Sequence, residues 1–227
     1  GQWPFRRLPE DNLDALLATY SHYGVEQAWT GSFDGLFHKD VASANLRLSE
    51  ICDTESNATL LPFGTVNPTL PRWEEDLRRC AEDHAMKGIR LHPNYHGYTL
   101  DNPVFKALLE QAAARGLLVQ LAVTMEDERM MHPLCRVPHV DVAPLAALLE
   151  SIPTLRMVLL NAFRAVSGKA IDTLAATGRV SFDIAWLEGI AGIERINKQI
   201  PLEQLLFGSY APFFYFQSSM LKLQESP

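Results

Sequence analysis

The sequence contains few cysteines, and they are not clustered. Cys52, Cys80 and Cys135 are the only three in 227 residues, and they form neither a CxxC pair nor a Cys/His group. An odd, scattered set is a poor disulfide framework, and free cysteine is usually buried. We therefore expect three buried or inert thiols.

Long apolar runs and clusters of positive charge are also missing from the sequence. No run approaches the roughly 18 apolar residues of a membrane-spanning helix, and the start GQWPFRRLPED has no apolar core like that of a signal peptide. The formal net charge is −7, and the basic residues are scattered, which does not suit a phosphate backbone. We expect a soluble, cytoplasmic protein that binds neither membranes nor nucleic acids.

What the sequence does have is an alternation of short apolar runs with amphipathic stretches. This pattern is typical of repeated βα units around a parallel sheet covered on both faces. The seven runs are Gly24–Phe33, Leu60–Asn67, Gly88–His92, Leu117–Thr124, Arg156–Ala162, Val180–Trp186 and Leu205–Tyr210.

The stretches between the runs carry helix signals. In DNPVFKALLEQAAARG, Asp101 or Asn102 is placed to cap a helix that begins at Pro103 and ends before Gly116. The segments PRWEEDLRRCAED, DVAPLAALLES and AIDTLAATG are predicted to be helical too.

We therefore predict one α/β domain over residues 1–227, a TIM-like (β/α)8 barrel whose first strand is missing or truncated. Seven strands are one fewer than eight, and the eighth would have to precede Gly1. An open doubly wound sheet is the alternative. It is less favoured because no segment resembles a Gly-rich dinucleotide or phosphate loop.

Arg90 and His92 are the first candidates for a site. Side chains on a strand alternate, so both point the same way. An inward Arg90 needs a carboxylate, which is either part of a substrate or belongs to a structural ion pair with Asp183 or Glu128. His92 can serve as a general acid or base, or it can merely cap a turn.

Other polar residues accompany these two. Asp183 lies in the otherwise apolar run VSFDIAW, where a carboxylate must be paired or have a raised pKa. Asn94 and His96 follow His92 in HPNYH, and Glu128 lies in the long stretch Met125–Val140, where a substrate pocket is expected. Trp186 ends the Asp183 run.

The segment GIRLHPNYHGYTLDNP resembles the amidohydrolase-related family, in which a G[VI][KR]LHP strand precedes an Asp-Pro-led helix. TVNP, which precedes this segment, and PTLRMVLLN and LLFGSYAPF, which follow it, stand in the order that family shows, so the resemblance spans about Gly24 to Phe213. It implies a TIM-like barrel with a metal-assisted hydrolase or decarboxylase ancestry and an active site at the carboxyl-terminal mouth.

The sequence departs from that family at its metal ligands. The resemblance places a histidine near Ala122, a second histidine at Asn161 and an aspartate at Tyr210, and none of these three is present. It places an HxH pair before or at Gly1, where GQWPF offers no histidine. Zinc needs His, Cys or carboxylate donors. No cofactor is therefore expected, and a divalent metal such as zinc would require ligands outside the family positions.

The sequence supports two functions. The first is an amidohydrolase-like hydrolase for a small polar or anionic substrate, with His92 and Asp183 catalytic. Its predicted substrate-binding residues are Arg90, Asn94, His96, Glu128, Asn161, Trp186 and Tyr210. The second is an inactive barrel that binds a metabolite or a protein partner.

Two further expectations concern the assembly and the ends of the chain. A homo-oligomer is compatible with the sequence. Residues upstream of Gly1 and downstream of Pro227 would, if present in the native protein, complete the barrel and supply further ligands.

Overall fold

The computed structural model describes residues 3–54 and 59–226. Seven parallel strands form one sheet in chain order, each paired with the next along the chain. The strands are β1 Ala28–Thr30, β2 Leu60–Gly64, β3 Gly88–Leu91, β4 Leu118–Ala122, β5 Met157–Leu160, β6 Val180–Asp183 and β7 Leu205–Leu206. All seven predicted runs therefore contain a strand.

Helices follow the strands, as the alternation predicted. They are α1 Leu13–His22, α2 Asp34–Phe37, α3 Val41–Cys52, α4 Trp73–Arg78, α5 Pro93–His96, α6 Pro103–Ala114, α7 Leu145–Ser151, α8 Lys169–Ala175, α9 Gly192–Asn197 and α10 Phe216–Gln224. A π-helical turn, Arg79–Asp83, extends α4, and 3-10 turns lie at Pro133–Cys135, Ala162–Arg164 and Leu202–Gln204.

The predicted signals of α6 are all in place. Asn102 is the N-cap, and its side chain accepts a hydrogen bond from the backbone N–H of Val104. Pro103 is the first helical residue, where its missing N–H costs nothing. Gly116 follows the end of the helix with a φ of +69°, a conformation that glycine adopts without strain.

The two faces of the sheet have different roles. One face carries apolar side chains such as Ile89, Leu121 and Phe182, which pack with the helices into the main core. Residues of opposite parity, such as Arg90 and Asp183, face the barrel interior and line a cavity there. The period of two that predicted this division is confirmed.

The structure is an incomplete TIM-like barrel of seven strands. Over the described part of the chain, no strand pairing joins β7 to β1. Side chains of α1, α3 and α10 form an apolar cluster with Leu60 and Ala28 beside this interval. The cluster includes Tyr20, Leu48 and Phe216.

The three cysteines are free thiols, as expected. Cys52 and Cys80 are buried, whereas Cys135 is only partly buried. Within residues 3–54 and 59–226, no helix has both the length and the apolar character needed to cross a bilayer.

Candidate functional site

The barrel interior holds a cavity of about 530 Å³. Its polar wall comes from β3, β4 and β6 and from the loop after β7. Its apolar wall reaches the first residue of β2 and the helices α1, α3 and α10. Arg90, His92, Asp183 and Tyr210 all line this one space, so four of the predicted catalytic and substrate-binding side chains lie together.

Arg90 presents its guanidinium to the cavity from the middle of β3. Its Nε donates to Oε1 of Gln120 at 2.7 Å, and its Nη2 donates to the carbonyl of Trp29 at 2.9 Å. Burial lowers the pKa of Arg90, while Tyr210, Tyr20 and Asp183 partly offset this effect. No ion pair within the described residues includes Arg90, so neither Asp183 nor Glu128 neutralises it through a direct contact.

Asp183 is buried at the end of β6, with 4 % of its surface exposed. Its Oδ1 accepts a hydrogen bond from the backbone N–H of Asn161 at 2.8 Å. Burial raises the pKa of Asp183 to about 6, although the hydrogen bond from Asn161 and the charges of Arg90 and Lys222 act in the opposite direction. This carboxyl group can therefore exchange a proton near neutral pH.

Asn161, a predicted substrate-binding residue, supports the site without lining the cavity. It adopts the left-handed conformation with a φ of +56°, which asparagine tolerates better than most residues. Its side-chain Nδ2 donates to the carbonyl of Thr124 at 2.9 Å, while its Oδ1 is buried without a hydrogen-bond partner.

His92 caps α5 directly after β3, and His96 lies behind it at the end of the same short helix. The two rings are 6.1 Å apart, and both Nδ1 atoms are buried without a partner. Burial lowers the pKa of His92 well below its usual value, and His96 and Arg90 add to this effect. His92 is therefore neutral at pH 7. His96 accepts or donates only at Nε2, which lies 3.0 Å from the carbonyl of Gly35.

Tyr210 and Gln120 complete the polar wall. The Tyr210 hydroxyl contacts the sulfur of Met125, and burial raises the pKa of this phenol. Gln120 is buried in β4 directly opposite Arg90 and orients its guanidinium. Sequence reasoning missed Gln120, although a single amide in the apolar run LLVQLAVT is the same kind of signal that identified Asp183.

Besides Asn161 and His96, three further predicted binding residues do not line the cavity. Asn94 donates to the carbonyl of Pro138 at 3.1 Å and so joins α5 to the loop after β4. Glu128 pairs with His139 at 2.6 Å on the surface. Trp186 donates to Glu188 at 3.2 Å and lines a separate depression beside Lys222.

The positions at which the family resemblance places metal ligands do not fit a metal ion. Ala122 has no donor atom and packs in an apolar cluster with Met125. Asn161 directs its amide nitrogen to Thr124, and Tyr210 contacts Met125. Among the described residues, no three or more His, Cys, Asp or Glu side chains are grouped so that they could hold a metal ion.

Similar solved structures share the fold. A TIM-barrel protein from Bordetella bronchiseptica matches with a TM-score of 0.73 at 12 % identity, covering 98 % of this chain and 80 % of that one. A 2,6-dihydroxybenzoate decarboxylase from Rhizobium matches with a TM-score of 0.70 at 14 % identity, covering 94 % and 82 %. A 5-carboxyvanillate decarboxylase from Novosphingobium aromaticivorans with bound manganese matches with a TM-score of 0.69 at 15 % identity, covering 92 % and 73 %.

At such low identity these likenesses concern the fold alone, and no curated protein matches the chain. The sequence itself carries a stronger signal. The family model described as amidohydrolase matches residues 4–220, which is nearly the whole chain. The resemblance noted in the strand ends is therefore confirmed, and the chain belongs to the amidohydrolase family.

Proposed function

We propose that this protein is a hydrolase that acts on a small anionic substrate in the barrel cavity, and that it does so without a metal centre. The observation that carries the proposal is the pair of Arg90 and Asp183. A half-buried guanidinium without a carboxylate partner in the described part of the chain lines the same cavity as a carboxyl group whose pKa is about 6.

Arg90 would bind the anionic group of the substrate. A charge that is partly removed from water is costly unless it is paired, and no carboxylate in the described ranges of the chain pairs with Arg90, so the carboxylate of an incoming ligand would supply that pairing. Gln120 and the Trp29 carbonyl hold the guanidinium in place. This fixes the position of the scissile bond relative to Asp183.

Asp183 would act first as a general base and then as a general acid. At pH 7 it is mostly ionised, so it takes a proton from water while the water oxygen bonds to the acyl carbon. When the bond to the leaving group breaks, Asp183 returns that proton to the leaving group. A carboxyl pKa close to the working pH suits both steps. Neutral His92 would exchange a hydrogen bond or a proton with the water or the substrate.

The alternative is a barrel that binds its ligand and does not turn it over. The observation in favour of this function is the set of side chains at the family's ligand positions, where Ala122, Asn161 and Tyr210 make structural contacts. A protein that has lost its catalytic centre would show the same pattern.

Turnover assays on a panel of carboxylate-bearing esters, lactones and amides test the proposal. We expect hydrolysis that survives prolonged treatment with a chelator. Because two of the similar structures are decarboxylases by name, release of CO2 from aromatic carboxylates is measured in parallel. Decarboxylation alone would contradict the hydrolase assignment, and ligand binding without any turnover would favour the alternative.

Substitution of Arg90 and His92 tests the residue roles. Arg90→Met and His92→Gln should each lower kcat/KM by about 100-fold or more, because a positioned charge and a proton-transfer group are lost. Arg136→Met is the matched control, since Arg136 is exposed and does not line the cavity. Unchanged activity in both site variants would reject the assignment.

A further inference from the structure

We infer that the ligand of this cavity is an amphiphile with one carboxylate, held by Arg90, and an uncharged aliphatic body that lies against α1, α3 and α10. The inference deepens the proposed function because it concerns the same cavity. It specifies what the substrate looks like beyond its charge.

The polar end of the cavity has capacity for a carboxylate. Arg90 has five N–H donors, and its hydrogen bonds to Gln120 and to Trp29 occupy two of them. Gly31 leaves room for the guanidinium, since a Cβ there would lie 2.9 Å from Nη1 of Arg90. The remaining donors of the planar fork suit the two oxygens of one carboxylate.

Another wall of the cavity is apolar. Leu48, Leu60 and Phe216 form its base, and each is less than 7 % exposed. Leu13 and Leu16 of α1 are only partly buried in the same apolar cluster and add open apolar surface to this wall. A purely polar ligand would leave this surface in contact with water, whereas an aliphatic chain would cover it and gain the free energy of burial.

The size of the cavity also exceeds what a small anion fills. A volume of about 530 Å³ lies within the range of sites that enclose drug-sized ligands. A single carboxylate at Arg90 would occupy only a small part of it. The ligand must therefore extend away from Arg90 along the apolar wall.

The part of the ligand that lies beside the start of α1 is expected to be uncharged. Glu10 and Asp11 line the cavity just before α1 begins. A second carboxylate beside them would meet two groups of its own charge. One carboxylate per ligand, held by Arg90, therefore suits this cavity.

A series of straight-chain ligands tests this inference by calorimetry on the full chain. The probes are acetate, butyrate, hexanoate and octanoate, with 1-octanol and octanedioate for comparison. We expect affinity to rise about threefold per added methylene until the cavity is filled. 1-Octanol and octanedioate should both bind at least about tenfold more weakly than octanoate. Affinity that does not change with chain length, or equal binding of octanedioate, would overturn the inference.

Two variants separate the apolar wall from general stability. Leu16→Ser should lose most of the gain from octanoate over acetate, because Leu16 lines the cavity. Leu17→Ser is the control, since Leu17 is also partly buried in the same apolar cluster but does not line the cavity. Equal octanoate binding by the two variants would contradict the inference.

The outcomes also distinguish this inference from the proposed function. Octanoate binding with the expected chain-length dependence, but no hydrolysis of acyl substrates, would remove the hydrolase and leave the amphiphile site. Hydrolysis of short polar substrates without any effect of chain length would remove the amphiphile site and leave the hydrolase.

Discussion

At the scale of single residues, Asp183 shows how burial creates a group that titrates near neutrality. Its carboxyl loses hydration inside the barrel, and the opposing hydrogen bond and charges recover only part of that loss. The native state therefore prefers the protonated form more strongly than the unfolded state does. This preference makes the stability of the protein depend on pH.

The sign of that dependence follows from the direction of the shift. The pKa of Asp183 rises from 3.8 to about 6 on folding, so below pH 3.8 the group has no destabilising effect. The penalty grows as the pH rises from 3.8 to 6 and is constant above. Relative to Asp183→Asn, the wild type should lose up to about 3 kcal/mol of unfolding free energy between pH 4 and pH 7.

Urea unfolding of both proteins at pH 4, 5, 6 and 7 measures this difference. The Asn side chain keeps an oxygen to accept the hydrogen bond from the backbone of Asn161 and cannot ionise. His92 titrates in the opposite direction, but it is present in both proteins and cancels in the comparison. A difference that stays constant from pH 4 to pH 7 would show that Asp183 is not buried as an ionisable group.

At the scale of elements, His139 connects the end of the long loop between β4 and α7 to the start of that loop. Its Nδ1 lies 2.5 Å from the Thr124 hydroxyl, and its Nε2 lies 2.6 Å from Glu128. The next residue, Val140, donates its backbone N–H to the carbonyl of Val123. The start and the end of the loop are thus joined beside the site.

His139→Ala should loosen this loop without unfolding the barrel, because Thr124 and Glu128 lose their common partner. We expect trypsin to cleave after the exposed Arg136 several times faster than in the wild type, since local opening governs such cleavage. The peptide after cleavage is identified by mass spectrometry. His84→Ala, a change at a partly exposed histidine after α4, provides the control, and an equal cleavage rate in both variants would contradict the role of His139.

The sequence predicted the presence of the strands better than it predicted their lengths. The run Gly24–Phe33 contains only three strand residues, and Leu205–Tyr210 contains two. Apolar composition reports burial, whereas a strand needs hydrogen-bonded neighbours. These two strands lie at the ends of the described sheet, where pairing is one-sided.

The site was predictable where strand periodicity governs it. Arg90 and Asp183 lie within strands, and alternation alone places them on the inner face. Asn94 lies in the short helix α5 and Glu128 and Trp186 lie on loops or turns, and the paths of these segments depend on contacts distant in sequence, such as Asn94 with Pro138 and Glu128 with His139. The pattern holds no information about those contacts, so the sequence could not decide which loop residues face the cavity.

At the scale of the whole molecule, an apolar cluster lies beside the interval between β1 and β7. Phe216 of α10 is 2 % exposed, and its ring lies 5.8 Å from Tyr20 and 5.0 Å from Tyr23. It also lies 5.5 Å from Phe207, which follows β7. One side chain thus connects α1 on one side with the end of the sheet on the other.

Phe216→Ala should therefore cost about 3–5 kcal/mol of unfolding free energy, because it leaves a cavity where three rings meet. Tyr215→Ala is the matched control: Tyr215 is the preceding residue and is 66 % exposed, so its loss should change stability by less than about 0.5 kcal/mol. Urea unfolding at pH 7 measures both variants. An equally small loss of unfolding free energy in Phe216→Ala and Tyr215→Ala would mean that packing of α10 between the end of the sheet and α1 does not stabilise the fold. The apolar wall inferred for the ligand would then lack its support, because Phe216 belongs to both.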